Sequence, residues 1–179
     1  MALLTRLTIE DFEKLPDAAV ENRELVDGEL VDVSGNTINH NFLRDCLVRL
    51  LGNHVEQHQV GRIVSEQEYD FDGNAHGPDV SFFSPEKARL ISGNRRVQRF
   101  VPDLAIEIVS QNDKFEALLK KAQRYRACGT KEVWIFSIEM REAFVFNEQQ
   151  RAILNEDQEF RSDLLPGFSI RLGDLFDRI

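Results

Sequence analysis

The residues of this chain best suited to chemistry are acids on predicted strands and a lysine on a predicted helix. Asp79 lies at the start of a short apolar run, Glu107 lies deep inside another, and Lys121 lies on the helical pattern that follows Glu107. A buried carboxylate must be paired, hydrogen-bonded or bound to a metal, since otherwise its pKa rises until it takes a proton. Mg²⁺ is typically held by one or two carboxylates with water and a substrate phosphate. The pattern therefore makes a divalent-cation site a hypothesis worth testing.

Strand alternation decides which acids can meet. In the predicted strand from Pro78 to Ser84, Asp79 shares one face with Ser81. In the strand from Pro102 to Ser110, Asp103, Ala105 and Glu107 share a face. Two acid-bearing faces can converge, and like charges a few ångströms apart repel unless a cation or a proton lies between them. We expect Asp103, four residues upstream of Glu107, to be only a strand-start residue.

The predicted helix from Lys114 to Cys128 offers three lysines, and helical geometry selects one. Lys120 lies opposite the apolar stripe and should be solvated, whereas Lys114 and Lys121 flank that stripe. Glu107 is about 10 Å below the end of its strand at roughly 3.3 Å per residue. Lys121 is about 14 Å down the returning helix, and its side chain leans back towards the helix start. Lys121 can therefore reach Glu107, whereas Lys114, in the first turn, would lie too high. An amphipathic lysine at the edge of a core helix explains the same pattern.

The order of predicted elements is hairpin, helix, strands, helix, strands. We expect one α/β domain over residues 1–179, with a mixed central sheet and flanking helices. The chain begins with a predicted short helix, capped by Thr8 and ended by Pro16, and a hairpin around Asp27-Gly28. A helix from Ile38 to about His58 follows. A strand from Gly61 through Tyr69, a loop from Asp70 to Gly77 and the strand of Asp79 then lead to the strand of Glu107. The predicted elements after it are the Lys114–Cys128 helix preceded by a cap-like Gln111-Asn112-Asp113, and strands at Glu132–Ser137, Ala143–Phe146, Ala152–Leu154 and Phe168–Leu172, with a closing helical turn.

The formal net charge of −9 counts against broad, non-specific nucleic-acid binding. One segment differs, because residues 85–100 hold five basic residues and one acid. A charge run of this kind is more often a solvated surface loop. No apolar run has the length of a membrane helix, and the segment from Met1 to Asp11 has no signal-like stretch, so we expect a cytoplasmic protein. Cys46 and Cys128 are expected to be reduced.

Two other groupings imitate metal sites. His54 and His58 are one helical turn apart, but the zinc-protease pattern needs a glutamate directly after its first histidine, and Glu56 points to a different face. Asp70 and Asp72 start like a calcium loop, which then lacks the required glycine and final glutamate. We expect a turn there.

Several motifs together resemble a known family. They are Gly77-Pro78-Asp79-Val80, the run Pro102 to Ser110, Lys121-x-x-x-Tyr125-x-x-x-Gly129-x-x-Glu132-x-Trp134, Leu7-Thr8-x-x-Asp11-Phe12-x-x-Leu15-Pro16, Arg23-Glu24-Leu25-Val26-Asp27-Gly28-Glu29, and His40. In this order and spacing the set resembles the Uma-two family of restriction endonuclease-like proteins, within the PD-(D/E)XK nuclease superfamily. The resemblance spans nearly the whole chain.

The resemblance implies a restriction endonuclease-like fold and a hydrolase that cuts phosphodiester bonds with Mg²⁺ or Mn²⁺, DNA being the expected substrate. It implies that Asp79, Glu107 and the carbonyl of Ile108 bind the metal. It further implies that Lys121 orients the attacking water, while Glu24 and His40 help to place metal or substrate. On charge alone, Arg95, Arg96 and Arg99 are candidates to hold the nucleic-acid backbone.

Two positions depart from the family pattern. Ser110 is usually followed by proline and here by Gln111, and Ala117 replaces an acid often found one turn before the lysine. Two other interpretations stay open: a non-catalytic module that keeps the nuclease fold to bind nucleic acid or protein, and a nuclease for RNA. Exposed C-terminal strands also leave a homodimer open.

Overall fold

The computed structural model describes residues 6–33, 35–110 and 113–179, so the predicted Gln111-Asn112 part of the helix cap lies outside it. The helices are α1 (Ile9–Lys14), α2 (Asp17–Val20), α3 (Ile38–His58), α4 (Pro85–Ala88), α5 (Phe115–Ala127) and α6 (Leu172–Phe176). The strands are β1 (Arg23–Val26), β2 (Glu29–Asp32), β3 (Arg62–Ser65), β4 (Glu68–Asp70), β5 (Ala75–His76), β6 (Val80–Phe83), β7 (Val97–Gln98), β8 (Leu104–Ile108), β9 (Glu132–Ser137), β10 (Glu142–Phe146), β11 (Arg151–Leu154), β12 (Glu159–Arg161) and β13 (Ser169–Arg171).

Two mixed sheets carry the fold. One has five strands in the order β2-β1-β5-β4-β7, and the other has six in the order β11-β10-β9-β8-β6-β3. In each sheet one pair is parallel, β4 with β7 and β8 with β9, and the other pairs are antiparallel. Strands β12 and β13 form a separate antiparallel pair. The mixed α/β class is therefore confirmed, but the expected single sheet is divided into two.

Local sequence signals account for the first elements. Thr8 accepts a hydrogen bond from the Asp11 backbone N–H, and the Asp11 carboxylate accepts one from the Thr8 N–H, which is a complete capping box. Asp27 and Gly28 both have positive φ, at 51° and 81°, as a two-residue hairpin turn of this hand requires. The predicted short helix, the hairpin and the helix from Ile38 to His58 are confirmed.

Two predictions about the next segment were wrong. The expected strand from Gly61 through Tyr69 is two strands in different sheets, because Glu66 adopts a positive φ of 55° and turns the chain between β3 and β4. Gly61 itself allows a close approach, since a Cβ there would lie 2.4 Å from the backbone oxygen of Phe83. The expected loop from Asp70 to Gly77 contains the short strand β5, which joins β1 to β4.

The six-stranded sheet is covered on both faces. Leu104, Ile106 and Ile108 pack with residues of α3 in the larger core, whereas Ala105 packs with Leu118 and other residues of α5. A third cluster joins α1 and α2 to the five-stranded sheet. The odd-numbered face of β8, which bears Glu107, therefore looks towards α5.

Candidate active site

Asp79 and Glu107 come together because their strands are neighbours. Strands β6 and β8 pair antiparallel with Val80 opposite Ile106, and one further step of this register places Asp79 opposite Glu107. The backbone N–H of Ile108 donates to Asp79 Oδ2 at 2.7 Å, which holds that carboxylate against the end of β8. Opposite residues of adjacent strands point to the same face, so both carboxylates border one site.

Lys121 lies over these acids. Its Nζ is 3.2 Å from Glu107 Oε1 and 2.9 Å from Glu24 Oε1, so one ammonium group bridges two carboxylates. One helical turn later, the Tyr125 hydroxyl donates to Glu107 Oε1 at 2.7 Å. Residues four apart lie on one side of a helix, which explains how α5 supplies both groups to a single buried glutamate.

Glu24 reaches the site from the other sheet. Leu25 of β1 pairs with Ala75 of β5, so Glu24 lies beside His76. Its Oε2 is 2.9 Å from His76 Nδ1, and its Oε1 accepts from the Gly77 backbone N–H at 3.1 Å. The site therefore lies at the junction of the two sheets, with Asp79 in the connection between β5 and β6.

His40 supports Asp79 from the start of α3. Thr37 caps this helix, and the His40 Nε2 is 3.2 Å from Asp79 Oδ1. Burial disfavours a charged ring, but the hydrogen bond and the charge of Asp79 outweigh it and raise the pKa of His40. Both oxygens of Asp79 thus have a protein partner.

The charges of this cluster do not balance. Glu24, Asp79 and Glu107 bring three carboxylates to the ammonium of Lys121 and the ring of His40, which faces Asp79. Burial raises the pKa of Glu107 to about 7, with Lys121 opposing the rise and the other two carboxylates adding to it. Burial also disfavours charge on Glu24 and Lys121, but their attraction prevails: the pKa of Glu24 falls to about 2, with help from His76, and that of Lys121 rises.

This donor set suits a hard divalent cation. Two carboxylates and a nearby backbone carbonyl, that of Ile108, are oxygen donors of the kind Mg²⁺ and Mn²⁺ prefer. A cation of charge +2 would also offset the excess negative charge of the three acids. Within the described ranges, no group of three or more His, Cys, Asp or Glu side chains has metal-binding geometry. Mg²⁺ does not need such a group, because one or two carboxylates with water and phosphate suffice.

The two groupings that imitate metal sites have ordinary structural explanations. The rings of His54 and His58 are stacked, with centroids 4.2 Å apart. In the loop after β4, Asp70 Oδ1 accepts from the Gly73 N–H, and Asp72 has a positive φ of 56°, as expected for a turn. Both cysteines are free, as expected.

The basic segment is largely paired within the chain. Arg96 makes two hydrogen bonds to Glu68, at 2.6 and 3.0 Å, and Arg99 bonds both Glu10 and Glu13 of α1. Arg95 is exposed. The contacts of Arg99 with Glu10 and Glu13 hold α1 against the segment that follows β7. The proposed role of the three arginines in nucleic-acid binding stays a prediction.

Asp103 has a structural role larger than expected. It is buried at 1% exposure, accepts from the Ser84 backbone N–H at 2.9 Å, and lies 3.1 Å from the ammonium groups of both Lys87 and Lys131. Its charge is therefore matched at the far end of β8, away from the cluster of Glu107. These structural contacts account for the buried carboxylate of Asp103, next to the start of β8, and require no catalytic role for it.

Three residues beside the cluster were not among the candidates from sequence: Tyr125, His76 and Arg124. Tyr125 belongs to the family motif but was given no role, although its spacing of four from Lys121 was the available signal. Arg124 Nη1 is 3.3 Å from His76 Nε2, a contact between residues 48 apart that no local pattern reveals.

The fold and the acidic cluster together define a protein of the restriction endonuclease-like class. A family model described as "Putative restriction endonuclease", Uma2, matches residues 9–173, and the chain belongs to this family. A similar solved structure is described as "a putative nuclease belonging to DUF820" from Anabaena variabilis. It has a TM-score of 0.85 at 20% identity, with 96% of this chain and 98% of that chain covered. No curated protein matches the chain.

Within the described residues, no helix is both long enough and apolar enough to cross a membrane.

Proposed function

We propose that this protein is a divalent-metal-dependent endonuclease that hydrolyses phosphodiester bonds in DNA. The observation that carries the proposal is the convergence of Asp79, Glu107 and Lys121, which come from the residue before β6, from β8 and from α5. Membership in a nuclease family supports the same reaction class. DNA is the substrate we infer for this family.

Asp79, Glu107 and the carbonyl of Ile108 would hold the metal. When bound, Mg²⁺ or Mn²⁺ supplies Lewis-acid polarisation of the scissile phosphate and activation of water. Lys121 donates hydrogen bonds from its ammonium group, so it can orient the attacking water and offset negative charge on the phosphate. Glu24 and Tyr125 support this arrangement, because they hold Lys121 and Glu107 respectively. His40 contacts Oδ1 of Asp79, the oxygen that the Ile108 N–H does not hold.

Plasmid cleavage tests the proposal with matched variants. Wild type, Glu107→Gln and Lys121→Met are each incubated with supercoiled plasmid and Mg²⁺ or Mn²⁺. Loss of one preorganised charged group typically lowers a rate by about 100- to 1,000-fold, and we expect at least that loss in both variants.

The controls are conservative changes outside the cluster. Glu132→Gln changes another buried acid, on β9, and Lys120→Met changes the exposed neighbour of Lys121. Both should cut plasmid at the wild-type rate. Equal cutting by wild type and Glu107→Gln, or no cutting by wild type with either metal, would refute the proposal; RNA is run in parallel as the alternative substrate.

A non-catalytic binding module is the second candidate, and one observation favours it. Lys121 already pairs with Glu24 and Glu107, so a cation is not the sole partner these carboxylates can have. Calorimetry with Mn²⁺ distinguishes the two candidates. A nuclease should bind the metal with heat that Asp79→Asn abolishes, whereas a binding module has no need of this cation site.

A further inference from the structure

His76 and Arg124 form a chain of contacts that ends at the proposed site. His76 is buried on β5, and its two ring nitrogens face different partners. Nδ1 is 2.9 Å from Glu24 Oε2, and Nε2 is 3.3 Å from Arg124 Nη1. Arg124 also bonds the carboxylate of Asp27 at 3.1 and 3.3 Å, which ties its guanidinium to the hairpin turn.

These partners fix the proton on the ring. A guanidinium only donates hydrogen bonds and does not lose its proton in proteins, so His76 Nε2 must be the acceptor of this contact. The ring proton is then on Nδ1, which donates to Glu24 Oε2. A doubly protonated ring could not accept from Arg124 at all. Burial lowers the pKa of His76, in agreement with a neutral ring.

The tautomer of His76 affects the proposed site because Glu24, which accepts its proton, also contacts Lys121. Its Oε2 is held by His76, while its Oε1 contacts Lys121 at 2.9 Å and accepts from the Gly77 N–H. Fixing one oxygen of a carboxylate fixes the direction of the other. The side chain of Lys121 is thereby held between Glu24 and Glu107 rather than free to turn to one side.

We propose that His76 and Arg124 are positioning residues: Arg124 selects the Nδ1–H tautomer of His76, which orients Glu24 and through it Lys121. The catalytic consequence rests on the proposed nuclease function, but the tautomer does not. The other groups that surround the ring are Lys121, Tyr125 and Phe71, and Tyr69 faces it across the β4–β5 pair. Among the described residues, the charged groups that act on the ring are Glu24, Lys121 and Arg124, and of these only Glu24 can accept its proton.

Nitrogen-15 NMR of the His76 ring tests the tautomer directly, without any activity. At neutral pH we expect a protonated Nδ1 and an unprotonated Nε2 in wild type. Arg124→Gln should allow a proton on Nε2 in a measurable fraction of molecules, because a glutamine amide can also accept. Lys120→Gln, an exposed change on the same helix, should leave both resonances unchanged. A protonated Nε2 in wild type, or identical spectra for Arg124→Gln and wild type, would overturn the assignment.

Two substitutions of His76 separate positioning from simple packing. An asparagine amide lies near the Nδ1 position and can still donate to Glu24, whereas a glutamine amide extends towards the Nε2 position and leaves Glu24 without its donor. A hydrogen bond to a charged group contributes about 1.5–3 kcal/mol, which corresponds to about 10- to 150-fold in rate. We therefore expect kcat for plasmid cleavage by His76→Asn to exceed that of His76→Gln by at least about tenfold, with similar KM.

Failure of the positioning role of His76 and failure of the proposed nuclease function give different results in these experiments. Equal kcat values for the two His76 variants, with wild type active, would overturn the positioning role and leave the nuclease intact. If wild type cuts neither DNA nor RNA, the proposed function fails, and the NMR spectra alone decide whether Arg124 sets the tautomer.

Discussion

Replacing Lys121 with methionine should destabilise the metal-free protein strongly. Methionine keeps most of the apolar stem but removes the ammonium that bridges Glu24 and Glu107, whose side chains are only 13% and 7% exposed. Removing one partner of a buried ion pair costs about 3–5 kcal/mol, because the other charge stays buried and unpaired. In the variant, Glu24 retains its hydrogen bond with His76 and Glu107 retains that with Tyr125. The expected loss of stability is therefore that of one buried ion pair, although two carboxylates lose the ammonium.

Urea unfolding measures this loss as a lower free energy of unfolding, and the same loss also lowers the melting temperature. For a chain of 179 residues, 3–5 kcal/mol corresponds to a melting temperature lower by about 6–20 °C. The matched control is Lys120→Met, since Lys120 pairs with Glu116 on an exposed surface and its loss should change stability by less than about 1 kcal/mol. Mn²⁺ should restore part of the stability of Lys121→Met, because the cation can take over the charge of the lysine. Equal stability of the two variants would show that Lys121 does not compensate the buried acids.

Three further outcomes follow from other contacts. Burial raises the pKa of Glu132, which accepts from Trp134 and Ser162, so ionisation of this carboxyl destabilises the folded wild type. The stability of Glu132→Gln relative to wild type should therefore increase as the pH rises above about 4.3, and pH-dependent urea unfolding checks this sign. Burial opposes charge on Asp103, but its Ser84 N–H donor and two lysine partners lower its pKa; Asp103→Asn should therefore lose about 1.5–3 kcal/mol at neutral pH, and the loss should shrink below about pH 3.9. EDTA should abolish plasmid cleavage and excess Mn²⁺ should restore it, whereas restored cutting with Ca²⁺ alone would argue against the Mg²⁺-like site.

Much of the cluster could be predicted from local periodicity. The alternation of side chains along a strand put Asp79 and Glu107 on faces that can meet, and the register of the β6–β8 pair, extended by one residue, places them opposite each other. The helical wheel excluded Lys120, and depth along the strand and the returning helix selected Lys121 over Lys114; the Lys121 ammonium is 3.2 Å from Glu107. The choice of lysine needed only the geometry of β8 and α5, two elements that follow each other in the chain.

Contacts between distant segments could not be predicted in the same way. His76 meets Glu24 because β5 pairs with β1 across about fifty intervening residues, and a two-residue strand has no periodicity to reveal it. Arg96 and Arg99 looked like a free basic run, but their acids lie elsewhere in the chain. A positive φ at Glu66 divides what reads as a single strand, because nothing in the residue type requires that turn.

The central claim is that Asp79 and Glu107 together hold a divalent cation. A crystal grown with Mn²⁺ and measured for anomalous scattering tests it most directly. We predict one strong manganese peak within bonding distance of both carboxylates and of the Ile108 carbonyl oxygen, and no peak there in Asp79→Asn. Anomalous maps without manganese at this position, at a metal concentration that supports cleavage, would contradict the account.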